Sequence, residues 1–375
     1  MNCDFFNRTT LEWIAPAIFF GAVVVELFFL LFFYLRLLLI KKTSPQQAER
    51  SVSVCLAVRN EEERIEAVLT QLLEQDYSNY DVIVVDDFSE DCTIQKVAQL
   101  AKKFPRLKFT SICQETNFSE KLSINLAMKA SNSELVLFVR PDSHQINRQF
   151  LKKANEQVGD SSLLINYTNV LAQRNVWNKL CRLERFSAFL SSAAYSLGGL
   201  PVIYQDSNVL FQRAIYFNQS GFKGKMNDHF ANLELVLNAA VKKKVKVSVD
   251  IETCVRENTE TESSDFSALI KKKICLNRQL RFGARLLHGL ADVFKLLFVG
   301  LGTWLLVVEP QNWPFYVIPA FFVLFLQLFI VKSMSARLKE DKIFLSSFVY
   351  VYIRPILSLL HGIKIYIHNK RNKWN

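Results

Sequence analysis

The chain contains no C-x-x-C pair. Its seven cysteines, at positions 3, 55, 92, 113, 181, 254 and 275, are odd in number and scattered. That spacing excludes a zinc ribbon and a disulfide framework, and reduced thiols facing the cytosol are the simplest account. Cys55 falls inside an apolar run, where cysteine acts as a small hydrophobe. No Gly-rich phosphate-cradling turn follows any apolar run, which excludes the dinucleotide fingerprint of dehydrogenases and the P-loop. There is no nucleic-acid-binding motif and no basic–aromatic array, so the net charge of +11 is not read as a nucleic-acid footprint. Neither an internal repeat nor a low-complexity tract is evident. No small-residue cleavage site follows the first apolar stretch, which excludes a removable leader.

What is present in excess is apolar surface. Half of the residues are hydrophobic, 31 of them Phe, and the surplus lies at the two ends of the chain. Trp13 to Ile40 is almost wholly apolar and exceeds the roughly 20 residues needed to cross a bilayer. Lys41 and Lys42 follow it and place the next domain in the cytoplasm by the positive-inside rule. Glu26 inside this span is expected to face another helix or an interface. A second apolar region reads as a helical hairpin, Val293–Val308 and Phe315–Val331, around a loop at 309–313 that has no Lys or Arg and should face outward. The next loop, with Lys332, Arg337, Lys339 and Lys342, should face inward. Ile343–Leu360 is interrupted by Arg354 and Pro355, and an interfacial helix would keep the basic tail (Lys364, Lys370, Arg371, Lys373) inside. The positive charge suits a protein held against anionic lipid. The domains expected are an anchor at 1–45, a cytoplasmic domain at 46–285 and further apolar helices at 286–375.

The middle of the chain alternates. Val52–Val58 and Val82–Val85 are β-branched runs that read as buried strands, with an amphipathic helix between them at Ile65, Val68, Leu69, Leu72 and Leu73. Lys108–Ile112 and Leu135–Val139 follow as strands, Lys121–Ala130 and Phe230–Ala240 as helices. This is an α/β pattern, a mostly parallel sheet with flanking helices. Residues 256–265 are polar and are expected to form a mobile loop. Polar clusters stand at the C-terminal ends of the first two strands: Arg59, Asn60, Glu61 and Glu62, then Asp86, Asp87, Ser89 and Asp91. Ligands of open α/β sheets bind outside those strand ends. Asp91 and Ser89 in this setting are also ordinary cap and turn residues.

Ala57-Val58-Arg59-Asn60-Glu61-Glu62 and Val85-Asp86-Asp87-Phe88-Ser89-Glu90-Asp91-Cys92-Thr93 resemble the strand-end motifs of the family 2 glycosyltransferases, inverting enzymes that use nucleotide-sugar donors. The resemblance covers about 51–285 and implies a GT-A-like sheet between membrane helices. It implies that Ala57, Arg59, Asn60, Glu61 and either Asp86 or Asp87 contact a donor, the aspartates at the base or ribose of a uridine-type nucleotide. Lys121 and Asn125 match an Asn-x-x-Gly-Lys-x-x-Ala-Leu-Asn segment that places the lysine near the donor, although Glu120 stands where glycine is usual. A solvated lysine at a helix start is the plain alternative. Asp206 and Asn208 match an acceptor-side segment, with Asp206 in place of glycine, and Gly221-Phe222 precedes the segment carrying the catalytic base. Inverting transfer needs one base to deprotonate the acceptor hydroxyl, and Asp228 is the candidate; otherwise it is a helix cap. Arg278-Gln279-Leu280-Arg281-Phe282 resembles a Gln/Arg-x-x-Arg-Trp signature, which puts Arg278 and Arg281 on diphosphate and Phe282 on the acceptor side. The same helix, with Lys271, Lys272 and Lys273, also reads as a basic helix touching lipid headgroups.

The largest departure follows the strand Leu135–Val139. The family carries Asp-x-Asp there to hold Mg2+ or Mn2+; this chain has Arg140-Pro141-Asp142. Asp142 is the expected metal ligand, and Arg140 can meet phosphate directly through its planar fork. The expectation is a multi-pass inner-membrane glycosyltransferase with its catalytic domain in the cytoplasm. It would take a nucleotide-sugar, a divalent metal and a glycan or lipid-linked acceptor, and could join a polysaccharide assembly complex. The rival expectations are a catalytically degenerate scaffold or nucleotide sensor, suggested by Glu120, Arg140, Asp206 and Phe282, and a transferase acting on polyprenyl phosphate.

Overall fold

The computed structural model of the chain describes residues 13–40, 48–115, 120–226, 228, 230–241, 245–340 and 342–371. Lys41, Lys42 and Lys373, all used in the sequence reading, lie outside the described residues, as do the side chains of Lys370 and Arg371. The chain divides into two compact units. One comprises Met1–Leu39, Leu280–Ala336 and Glu340–Asn375, the other Ile40–Gln279 with Arg337–Lys339. The division after Gln279 falls earlier than the expected residue 285. Its local cause is Arg281, whose extended backbone (φ −57°, ψ 147°) separates the helix Ser263–Gln279 from the helix Phe282–Val308.

The second unit is built on β1 (Val52–Val58), β2 (Tyr80–Asp86), β3 (Leu107–Ser111), β4 (Leu135–Phe138), β5 (Ser143–His144), β6 (Leu163–Ile165), β7 (Thr168–Val170), β8 (Val209–Gln212), β9 (Val245–Val247) and β10 (Val255–Glu257). Seven of these form one sheet in the order β3-β2-β1-β4-β8-β6-β9; the other three form a small sheet, β5-β10-β7. β1 runs parallel to β2 and to β4, with Val52 opposite Tyr80 and Leu135. β8 is antiparallel to β4 and to β6. The β-branched runs form these strands because both faces are covered: Val54, Leu56, Val82, Val84, Leu135 and Leu137 are all fully buried. Each such side chain contributes about 1.5–3 kcal/mol. The amphipathic helix Ile65–Leu73 buries the five residues named from its periodicity.

Two sequence expectations need correction in this unit. The polar stretch 256–265 is not simply a loop: it begins in β10, and the helix Ser263–Gln279 starts before it ends. Backbone pairing of β10 with β5 and β7 supplies what the polar side chains do not. The helix expected from Phe230 starts at Leu233.

Among the described residues, four helices, three of them in the C-terminal part, are long and apolar enough to cross a membrane: Ile14–Leu39, Phe282–Val308, Pro310–Arg337 and Phe344–Ile367. In this unit Phe19 stacks on Phe298 with ring centroids 6.0 Å apart, and meets Tyr316 edge-on at 5.8 Å. An added Cβ at Gly302 would lie 3.0 Å from the Phe19 ring, so a larger residue there would require the ring to shift. Glu26 is 1% exposed and faces the interior, as does Lys295. The last helix is continuous through Pro355 to Arg371. It buries Ser347, Tyr350 and Arg354 on one face and exposes Leu345, Val349, Ile353, Ile356, Leu360 and Ile363 on the other. The exposed face is mainly apolar, with Lys364 also exposed.

Candidate active site

The chain runs β1, β2, β3 to one side of the sheet and then returns to β4 on the other side of β1. The reversal leaves a crevice outside the C-terminal ends of β1 and β4, where ligands of such sheets bind. Arg59 to Glu62 stand on one bank of it and Arg140 to Asp142 on the other.

The turns after β1 and β2 are laced to one another. Asn60 N donates to Ser89 Oγ (2.9 Å), Glu61 N to Thr93 Oγ1 (2.8 Å) and Glu62 N to Asp91 Oδ2 (3.1 Å). In return Glu90 N donates to Asn60 Oδ1 and Cys92 N to Glu62 Oε2, both at 2.9 Å. Asn60 and Phe88 have φ of 54° and 59°. Asparagine tolerates that region, whereas a bulky residue there costs about 1–2 kcal/mol and stays only because its surroundings fix it. Asp86, 1% exposed, uses both carboxylate oxygens internally, on Ser89 and on Ser111 Oγ at 2.8 Å. Asp87 is the other member of the pair. Its carboxyl is pushed up by burial and drawn back by Arg59, whose guanidinium also holds Glu115 at 2.6 Å. Asp87 also meets the Ser123 hydroxyl. Ala57 is half-buried within β1, opposite Val85.

The loop after β4 is held by charge. Arg140 Nε donates to Asp142 Oδ1 (3.2 Å) and lies 3.7 Å from Glu257 Oε2. Glu257, 1% exposed in β10, also pairs with Arg185 and accepts from Ser207 Oγ at 3.1 Å. Asp142 is 4% exposed. Burial and the neighbouring Glu257 push its carboxyl above the ordinary aspartate range, with Arg140 opposing. Burial also raises the Glu61 carboxyl, against the pull of Arg64, and both Asp142 and Arg140 act on it across the crevice. Among the described residues, no cluster of three His, Cys, Asp or Glu side chains forms a cation cage. Asp142 Oδ2 accepts no hydrogen bond from those residues. It therefore fits a cation held by one carboxylate, with phosphate oxygens and water as the remaining ligands.

Asp206 carries Lys272, with Nζ 2.7 Å from Oδ2 and 2.9 Å from Glu234 Oε1. Burial opposes the charge on Asp206, but Lys272 and then Arg140 outweigh it and hold the carboxyl below the usual range. A cavity of about 280 Å³ opens here, lined by Arg140, Arg185, Asp206, Lys272, Glu184 and Asp265 among others.

Asp228 is anchored on several sides. Its carbonyl accepts from Lys121 Nζ, Oδ1 from Phe230 N (3.3 Å), and Oδ2 from Cys275 Sγ (2.9 Å) and Gln279 Nε2 (2.7 Å). Burial, then the bond to Asp228, pushes the Cys275 thiol up to about 12, so it donates. Asp228 is not the cap of the following helix, a position held by Asn232. Gly221, at φ 57°, lies against Tyr216, whose hydroxyl would meet an added Cβ at 2.8 Å.

Several expected site residues have other work. Lys121 is fully buried, and its ammonium holds the Asp228 segment instead of standing free near a donor. Asn208 is 1% exposed; its amide donates to the carbonyls of Tyr167 and Thr253 at 3.0 Å, so it ties strands together and does not face an acceptor. Lys272 belongs to the buried ion pairs and Lys273 is 5% exposed, so neither reaches lipid headgroups. Arg278 is exposed one turn beyond Cys275. Arg281 and Phe282 belong to the apolar unit, where Phe282 is 79% exposed. Glu257, Arg185 and Glu234 escaped the sequence reading. The only available signal was a charge on an otherwise apolar helical face, as at Arg185.

A sequence profile described as glycosyl transferase family 2 matches residues 53–219. The amylovoran biosynthesis glycosyltransferase AmsB of Erwinia amylovora is 28% identical over 171 residues, 44% of this chain and 56% of that protein. Poly(ribitol-phosphate) β-N-acetylglucosaminyltransferase TarS of Staphylococcus aureus is 37% identical over 105 residues, 27% of this chain and 18% of that protein. The chain thus spans about half the length of the first relative and a smaller share of the second. Among solved structures, the mannosyltransferase PcManGT from Pyrobaculum calidifontis, in complex with GDP-Man and Mn2+, superposes with a TM-score of 0.56 at 16% identity, over 93% of this chain and 99% of that one. At that identity the likeness is one of fold. Profile, relatives and the crevice at the sheet's reversal point agree: residues 53–219 match the glycosyl transferase family 2 profile and lie on a GT-A-like, mostly parallel sheet.

Proposed function

We propose that the protein is a membrane-anchored transferase that moves a sugar from a nucleotide-sugar, of the UDP type, to a glycan or lipid-linked acceptor with inversion. The observation that carries this is the crevice at the reversal between β1 and β4, banked by Arg59–Glu62 and Arg140–Asp142 within the matched domain. Asp87, rather than the internally satisfied Asp86, contacts the base or ribose. Asp142 offers its free oxygen to a divalent cation; bound there, the cation would supply charge against the leaving diphosphate. Mn2+ accompanies the sugar nucleotide in PcManGT, which is consistent with that role. Asp228 takes the acceptor proton, and Cys275 and Gln279 orient its carboxylate. The cavity beside Asp206 receives the acceptor. The catalytic unit lies on the cytoplasmic side of the inner membrane, and AmsB's part in amylovoran biosynthesis supports a place in polysaccharide assembly.

The test is donor turnover by the detergent-solubilised chain, offered a panel of UDP- and GDP-sugars with Mn2+. Release of the nucleoside diphosphate at a rate that Asp228→Asn abolishes is expected. A second reading, a scaffold that binds nucleotide without turning it over, is favoured by one observation: the described residues lining the cavity do not include Asp228. Saturable nucleotide binding without release from any donor would select it.

A further inference from the structure

Arg140 stands at the crevice in an unusual state of partnership. Its Nε is committed to Asp142 and neighbours Glu257, which fixes the plane of the guanidinium. Its two Nη groups have no hydrogen-bond partner among the described residues, the side chain is 36% exposed, and it lines the cavity. A guanidinium held at one edge and open at the other is a pre-oriented fork for a phosphate group.

The charges around it hold it in place. Asp142 and Glu257 lie against Arg140, Glu120 and Asp206 also favour its charged form, and Arg185 shares Glu257. The guanidinium is thus kept charged at the crevice while its Nη edge stays open.

Resting on the donor reading above, we propose that Arg140 binds the donor diphosphate directly through its Nη edge and supplies a component of nucleotide binding that needs no metal. In transfer, the bond from the anomeric carbon to the diphosphate oxygen breaks as the acceptor oxygen bonds to that carbon. The electron pair leaves on the diphosphate, where the fork meets it, and the acceptor proton goes to Asp228.

The test is calorimetric titration of UDP into the detergent-solubilised full chain, in EDTA and in Mn2+. The expected result is binding in EDTA within about tenfold of that in Mn2+. Arg140→Gln should weaken the EDTA binding by about ten- to a hundredfold, the usual weight of charged hydrogen bonds. Arg140→Asp should make binding strictly dependent on Mn2+. Wild-type binding that vanishes in EDTA and returns with Mn2+ overturns this inference and leaves the donor reading standing, whether or not the variants fold. Equal binding by wild type and Arg140→Gln in EDTA also overturns it. No binding of UDP or GDP in either buffer removes the inference and the donor reading together.

Discussion

The two banks of the crevice are held by different physics. After β1 and β2, side-chain oxygens satisfy backbone amides of the opposite turn in five bonds, two of them to the carboxylates of Asp91 and Glu62. After β4 the loop is held by ion pairs among Arg140, Asp142, Glu257 and Arg185. The first bank reproduces the family's strand-end motifs; the second departs from them. Hydrogen-bond lacing of backbone depends on individual side chains of fixed length, so its residues are hard to exchange. A charge cluster depends on its balance, so one member can change sign if its neighbours compensate, as Arg185 does for Glu257.

Four variants would break or sharpen this contrast. Asp228→Asn should lower turnover by about 10²–10⁴ while leaving nucleotide affinity unchanged; a rate assay beside UDP titration checks it, and undiminished turnover removes Asp228 as base. Glu257→Gln strips two arginines of their shared carboxylate, and should destabilise the catalytic unit by about 3–5 kcal/mol. Denaturant unfolding measures it, and a loss below about 1 kcal/mol would mean that the second bank is not held by charge. Asp91→Ala removes the acceptor of Glu62 N and of Thr93 N, and should cost about 1–3 kcal/mol with weaker UDP binding.

The smallest effect is one of pH. Asp206 is held below its ordinary range in the folded chain, so its pairing with Lys272 stabilises fully above the unfolded value of about 3.9. That contribution is lost as pH falls below about 4 toward the folded value. Acid unfolding should therefore be steeper for the wild type than for Asp206→Asn; identical curves would show that the pair adds nothing.

Much of the first bank was legible in the sequence, because β-branched runs and the residues that cap and turn after them encode local geometry. The helix Ile65–Leu73 and the strands around it needed only periodicity. The second bank was not legible. Glu257 sits in a polar stretch that becomes a strand only by pairing with β5 and β7, which is a long-range fact. Lys121 and Asn208 matched family positions, yet burial gave both a holding task, which a motif cannot distinguish from ligand contact. Asp228 showed the reverse: a capping role looked ordinary by spacing, and the late start of the helix at Leu233 removed it.

The contact of Phe19 with Phe298 and Gly302 joins the start of the chain to residues that follow the entire catalytic unit, Ile40–Gln279. On a ribosome the first helix emerges long before its partner. At about 5–20 residues per second, the roughly 240 residues between them take on the order of ten to fifty seconds to make. Throughout that interval the first helix carries Glu26 without the neighbours that later enclose it. The ordering of synthesis thus makes the first helix a client in waiting, and keeping its apolar surface from other partners until Phe282–Val308 arrives becomes a step in the protein's production.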